Sequence, residues 1–296
     1  MPLGCGSVSA DGGPMGHVIA FIPASGGVGA STLAAAVAVR AAGAGREAVA
    51  VDLDHVAGRL DVVFGVEQQA GWRWDALAEV IGVVDGAALA QRLPCSEGVR
   101  VLAHDRALAL AAPEPPSRRA GDNAGHGGPG QQEGHGGVAV VVADVVADVV
   151  SGLAQAHEVT VLDLSRDVAV LEAVAGLVDV VVLVVGSQLL QVASASASTA
   201  VLKAALRELP WASTSTAWSC PPPQICVVLR GASVSDELAD VVVDHLDLPL
   251  AGIVGDEHRV VSDLERGIVP GARGRGSLVD VADDLLLRLV SAERAA

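Results

Sequence analysis

The sequence predicts an α/β fold, a mostly parallel sheet with helices on both faces. Three observations carry the prediction. Short apolar runs alternate with helical segments along most of the chain. The runs are apolar throughout rather than at every second residue, as strands buried on both faces are. The first run passes through a glycine-rich turn directly into a helix, which is how a strand–turn–helix unit is written.

The elements follow in order. Residues 1–16 are rich in Gly, Ser and Pro and are expected to be disordered. "HVIAFIP" (17–23) is the first strand, and "ASTLAAAVAVRAAGAG" (30–45) is a helix that ends in glycine. "EAVAVDLD" (47–54) is a second strand ending in two aspartates. "WRWDALAEVIG" (72–82) reads as helix and "GVRVLAH" (98–104) as a third strand. Residues 113–137 are of low complexity and bury no core, so they read as a surface insertion; His126 and His135 lie in it. A helix over 139–155, the strand "EVTVLDL" (158–164), a short helix (168–177) and the strand "DVVVLVV" (179–185) come next. A long helix (189–208) leads to a Pro/Ser-rich loop, 210–223. The strand "QICVVLR" (224–230), a helix (236–246), the strand "LAGIVG" (250–255) and helices near 259–266 and 277–292 complete the chain. This organisation predicts a single α/β domain over 17–296 interrupted by two loops.

Composition narrows the functions. Hydrophobic residues make up 51% and aromatic residues 2%, with no tyrosine, so Val, Ala and Leu must fill the core. The formal net charge is −16, a poor basis for non-specific nucleic-acid binding, which needs Lys and Arg against phosphates. Lys203 is the only lysine. The arginines Arg266, Arg273 and Arg275 read as a solvated loop. Cys5, Cys95, Cys220 and Cys226 have no metal-ligand spacing and read as reduced thiols, consistent with a cytoplasmic protein. "PLGC" (2–5) has the outline of a lipoprotein cleavage site, but no basic and apolar signal precedes it. No integral membrane segment is expected. The apolar stretch 138–154 carries Asp144 and Asp148, and 177–186 is too short to span a bilayer.

The candidate site lies at strand ends. In open parallel sheets ligands bind beyond the carboxyl ends of the strands. The turn 24–32, Asp52, Asp54 and Asp163 all lie there. In "SGGVGAST", Ser25, Gly26, Gly27, Val28, Gly29, Ala30, Ser31 and Thr32 form a loop whose glycines let backbone N–H groups curl around an anion. The helix that follows adds free amides and the positive end of its dipole. Asp163 ends an apolar strand, as a carboxylate holding Mg²⁺ through water would. Asp52 and Asp54 are placed to orient the metal's waters or an attacking water. The bland alternatives are an ordinary strand–helix turn and carboxylates that cap a helix or sit in solvent.

These residues resemble the MinD/ParA class of P-loop NTPases. The resemblance covers about 17–290 apart from the two loops. "VDLDHVAGRLDVVFG" (51–65) is similar to the family's switch segment, "VTVLDLSRD" (159–167) to its Walker B strand, and "VVLVVGSQLLQVASA" to the strand and helix after it. The resemblance implies ATP and Mg²⁺ as ligands, with Ser31 on the metal, Asp163 and Asp52 reaching it through water, and Asp54 as the main catalytic carboxylate with Asp52 in a weaker role. It also implies a homodimer formed across the nucleotide. The deviant loop of that class carries two lysines, at the positions held here by Ser25 and Ala30. Their loss with "GGVGAST" retained is most similar to the CpaE/TadZ branch, and to its actinobacterial CpaE-like septum site-determining proteins. "GWRWDAL" (71–77) and "LPLAGIVGDEHRVVSDLERG" (248–267) support that subgroup. Partners implied are division or pilus/secretion proteins, with recruitment to a pole or septum through a protein. Loss of both lysines implies weak or no hydrolysis. The base-contacting Asn of the class is absent; the region reads "VLRGAS", with Leu229 and Arg230.

The C-terminal helix departs from the membrane-binding helix of MinD-like proteins. It carries Leu278, Val281, Leu285 and Leu289 on one face and Asp280, Asp283, Asp284 and Glu293 on the other. Anionic lipid repels such a face, so core packing is expected.

Two other readings remain open. One is an NAD(P)-dependent oxidoreductase: "GVGAST" follows a strand, and Asp52 ends the next strand as a ribose-binding acid would. Against it, Thr32 stands where the third glycine belongs, and no tyrosine is available for a Tyr/Lys catalytic pair. The other is a nucleotide-free interaction scaffold with a vestigial site.

Overall fold

The computed structural model describes residues 15–55, 58–77, 82–104, 136–208 and 222–293. Residues 1–14, most of the insertion (113–135) and 210–221 of the second loop lie outside the described residues, as do His126 and His135.

Eight strands form one sheet in the order β3-β4-β2-β5-β1-β6-β7-β8. They are β1 (His17–Pro23), β2 (Ala48–Asp52), β3 (Cys95–Ser96), β4 (Val99–Leu102), β5 (Val159–Asp163), β6 (Val180–Gly186), β7 (Gln224–Gly231) and β8 (Leu250–Gly255). Every pairing is parallel except β3 with β4. The sheet is thus mostly parallel, and its antiparallel pair is a two-residue edge strand that no apolar run marks.

The helices are α1 (Ala30–Gly43), α2 (Leu60–Val63), α3 (Gly86–Ala90), α4 (Gly136–Ala156), α5 (Val168–Val174), α6 (Leu189–Glu208), α7 (Asp236–Leu246), α8 (His258–Glu265) and α9 (Ser277–Glu293). They cover both sheet faces, which produces two buried clusters. Along β1, Val18, Ala20 and Ile22 enter one cluster, and Ile19 and Phe21 enter the other. That alternation is why the strand must be apolar at every position. Phe21 and Phe64 are fully buried, and Val, Ala and Leu fill the remaining volume.

Several boundaries differ from the sequence expectation. The helix expected at 72–82 is a single 3-10 turn, Trp74–Leu77, with 78–81 outside the described residues. Tertiary bonds hold this stretch instead of helical ones. Arg73 Nη2 donates to the carbonyls of Val66 and Gln69, and the Trp74 amide donates to Ala103 O. Helix α4 starts at Gly136, inside the stretch expected to be insertion. Helix α5 stops at Val174 and continues as a 3-10 turn, Ala175–Leu177. The short elements α2, α3 and β3 have no counterpart in the sequence expectation, because runs of two to five residues show no periodicity.

Helix α9 buries Leu278, Val281, Leu285 and Leu289 against α1 and β8, as its apolar face demands. Arg40 of α1 grips Asp283 with Nε and Nη2, at 2.7 and 3.0 Å. Within α6, Leu189–Arg207 is long and apolar enough by composition to cross a membrane, although none was expected. That helix packs on β6 and α7 and buries Ala195, Thr199, Leu202 and Leu206, while Leu189 and Leu190 are exposed.

One close approach has a measurable consequence. A Cβ on Gly86 would collide with the carbonyl of Gly152, and one on Gly152 would meet the Val84 carbonyl. Glycine inside helix α4 is unfavourable by itself, so the contact between α3 and α4 accounts for its presence. Gly86→Ala is expected to lower stability by about 1–3 kcal/mol through overpacking. A thermal melt should show a Tm several degrees lower. An unchanged Tm would mean that α3 is not seated on α4.

Candidate functional site

The loop between β1 and α1 takes its shape from two backbone positions that favour glycine. Gly27 has φ 75° and Gly29 has φ 86°, both left-handed. Gly29 is the N-cap of α1 and has no side chain to spend on the helix amides. Val28 is buried and anchors the loop, while Gly26 and Gly27 are exposed above it. The Ala24 amide donates to Val184 O of β6 at 2.9 Å, fixing where the loop begins. Ala30 is buried in the core cluster below. Ser25 has a buried hydroxyl with no hydrogen-bond partner, a group that an incoming acceptor would satisfy.

Register brings the carboxylates together. Asp52 at the end of β2 pairs with Asp163 at the end of β5, and β5 lies directly beside β1. Asp163 is 4% exposed and interacts with the Ser31 hydroxyl at the start of α1. The sequence-derived candidates on β1, β2, β5 and α1 therefore meet at one sheet edge. Burial, followed by the charge of Asp52, pushes the Asp163 carboxyl up to about 8. Burial likewise pushes Asp52 to about 7, against two amide bonds that pull it down. A cation between them would favour the charged forms of both.

Asp52 has a structural task that its sequence position does not reveal. Its Oδ1 accepts from the Asp54 amide and its Oδ2 from the Leu60 amide, each at 3.1 Å. The carboxylate therefore ties Asp54 to Leu60 and takes up an amide at the start of α2. A Cβ on Gly58 would strike both carboxylate oxygens, so Gly58 closes directly over Asp52. Asp54 follows, partly exposed, and its carbonyl accepts from the Gly58 amide at 2.7 Å. Of the two aspartates, Asp54 is the one with access to solvent.

Two neighbours escaped sequence reading. Trp74 Nε1 donates to the Asp52 carbonyl at 2.7 Å, and the Trp74 ring stacks on His104 at 6.1 Å between centroids. His104 follows β4, at the same sheet edge; its Nε2 is buried and unpartnered, and burial lowers its pKa. Its place after a strand was legible; its closeness to Asp52 was not. Lys203 lies elsewhere, bonded to the carbonyls of Leu246 and Asp247 and to the Asp247 carboxylate at the end of α7.

The residues present fit a nucleoside polyphosphate with Mg²⁺. The loop supplies amides and an orphaned hydroxyl, and Ser31 and Asp163 supply hard oxygen donors of the kind Mg²⁺ takes. They fit a dinucleotide less well. Asp52 is 1% exposed, which leaves no opening for a ribose at its carboxylate. The nucleotide-binding sheet of dehydrogenases also places β2 beside β1, whereas β5 separates them here.

No family model matches the chain. An uncharacterized protein found in two strains of Mycobacterium tuberculosis is 41% identical over 96 residues, which are 32% of this chain and 26% of that relative. The chain thus spans about a quarter of the length of the curated relatives it matches. Among solved structures, a ParA family ATPase from Chlorobium tepidum superposes with TM-score 0.64 at 16% identity, covering 92% of this chain and 98% of that one. The cell division ATPase MinD of Pyrococcus furiosus gives TM-score 0.62 at 18% identity, covering 93% and 100%. The septum site-determining protein MinD of Pyrococcus horikoshii, solved with Mg-ADP, gives 0.61 at 17% identity, covering 94% and 99%. With its order of parallel strands and its loop between β1 and α1, the chain has the fold of the MinD/ParA P-loop ATPases.

Proposed function

We propose that the chain is a nucleotide-binding protein of the MinD/ParA type that takes ATP with Mg²⁺. The observation that supports this most is the Ser31–Asp163 pair set beneath the glycine loop. In this reading the amides of Gly26 to Thr32 cradle the phosphates, and the Ser25 hydroxyl donates to one of them. Ser31 ligates Mg²⁺, while Asp163 and Asp52 hold its waters. The metal supplies charge neutralisation at the phosphates. Asp54 is placed to orient water, yet neither loop position offers the cation that phosphoryl transfer uses. The chain therefore binds nucleotide and hydrolyses it slowly.

The finer role belongs to the same proposal. The degenerate loop favours the CpaE/TadZ branch, and with it a part in positioning the division septum or pilus/secretion machinery. The protein works as a homodimer closed over nucleotide, in the cytoplasm, recruited to a pole or septum by a protein partner. Sedimentation with and without ATP tests the dimer; a monomer at all concentrations removes it.

The decisive experiment is calorimetry with ATP, ADP and NAD, each with and without Mg²⁺. ATP and ADP are expected to bind more tightly with Mg²⁺, and NAD not to bind. Ser31→Ala is expected to reduce the Mg²⁺ dependence severalfold while leaving metal-free binding unchanged. Wild-type affinity that is indifferent to Mg²⁺ overturns the placement of Ser31 and Asp163. No binding of any nucleotide favours the scaffold reading.

A further inference from the structure

The loop has lost both of its lysines, yet a cation reaches it from another strand. Arg230 stands near the end of β7, paired in register with Gly186 of β6 and Val254 of β8. Its guanidinium lies against Gly29, where a Cβ on that residue would collide with Nη1. Gly29 has the left-handed backbone that favours glycine, and the arginine tip packs where a side chain would otherwise begin. The two residues line a small cavity with Thr32, Val184 and Glu257. Arg230 is 30% exposed, and its Nε donates to Asp256 at 3.2 Å.

We propose that Arg230 is the cation this site offers to the phosphates of its nucleotide, replacing from β7 the charge missing at Ser25 and Ala30. The proposal rests on the nucleotide reading above and adds a residue to it. The charge balance calls for such a group. The chain carries a net charge of −16, and Asp52, Asp54 and Asp163 lie at this end of the sheet, the two buried carboxyls becoming charged as Mg²⁺ binds. A polyphosphate approaching them is repelled unless positive charge is supplied. Arginine is suited to the task because its planar fork binds phosphate in a bidentate manner and stays charged. The Asp256 carboxylate is half exposed, and exposed pairs of this kind are weak, so it can hold the guanidinium and still yield it to a ligand.

The test measures binding of Mg-ADP and of magnesium pyrophosphate to the full chain by calorimetry. Pyrophosphate has no base or ribose, so it isolates the phosphate contribution. Arg230→Gln is expected to weaken both ligands about tenfold or more. Arg230→Lys should restore part of the loss. Asp256→Asn frees the guanidinium from its competitor and should strengthen both ligands up to about threefold. Melting curves matching the wild type exclude misfolding as the cause. Loss of ADP binding with pyrophosphate unaffected in Arg230→Gln overturns the proposal, assigning the arginine to base or ribose. Unchanged affinity for both also overturns it, while the nucleotide reading stands. Failure of the wild-type chain to bind either ligand overturns the nucleotide reading and this proposal with it.

Discussion

Purified wild-type chain is expected to hydrolyse ATP near the background rate, and Ser25→Lys with Ala30→Lys to raise that rate by about 10²–10³-fold. Phosphoryl transfer depends on positioning and on cations that neutralise charge building on the phosphate oxygens. Mg²⁺ and the loop amides supply part of this. Arg230 approaches Gly29 from the β7 side, so it adds charge for binding without reproducing two lysines within the loop. Position 25 is half-buried with an enclosed hydroxyl, so a lysine there must turn its stem out past the exposed Gly26 and Gly27. Position 30 is harder, because Ala30 is 4% exposed and a lysine there must lead its amine out of the core along its own stem. The single Ser25→Lys change is therefore measured beside the double one. Steady-state turnover of each variant, with Asp54→Ala as control, decides the matter. Robust wild-type turnover that Asp54→Ala abolishes would overturn the expectation of a binding site with little chemistry.

Metal-free chain is expected to lose stability steeply as pH rises through neutrality, and Asp163→Asn to remove much of that loss. Asp52 and Asp163 have folded-state values of about 7 and about 8, against an ordinary 3.8. Between pH 3.8 and 8 the folded chain therefore holds more protons than the unfolded chain. Stability is fully present below the unfolded value and falls as pH climbs through the folded values. The loss is on the order of several kcal/mol. His104 and His157 act in the opposite sense below their ordinary value of 6.5, because burial lowers both. The fall above pH 7 thus reports the carboxyls. Asp163→Asn keeps the shape without the charge, so it should melt higher than wild type at pH 8 without metal. It should also lose any stabilisation by Mg²⁺ with ADP, because the metal binds the charged carboxylates. Urea unfolding from pH 5 to 9 measures both effects. A flat wild-type profile would mean that the two carboxyls are not held together in the metal-free chain.

The layered α/β fold was readable because its evidence is local. Apolar runs bounded by glycine and aspartate declare β1, β2, β5 and β6, and their ends place the glycine loop, Asp52 and Asp163 on one sheet edge. The same locality explains the errors. Helices α2 and α3 and strand β3 are too short to show a period, and the stretch 72–77 is held by side-chain bonds to distant carbonyls rather than by its own ladder.

The sequence by itself determined the apolar strands, the glycine loop and Ser25 and Ala30 within it, since each is a property of consecutive residues. Only the tertiary structure decided how these parts are used. Strand order inserts β5 between β1 and β2, and that insertion sets Asp163 beside Ser31 and Asp52. Crossover packing determines strand order, and no local pattern encodes it. Folding also commits Asp52 to the Leu60 amide and brings Arg230 across the sheet to Gly29, a residue far away in sequence. Such contacts depend on where strand ends lie in space, which the assembled sheet specifies and the linear order of residues does not.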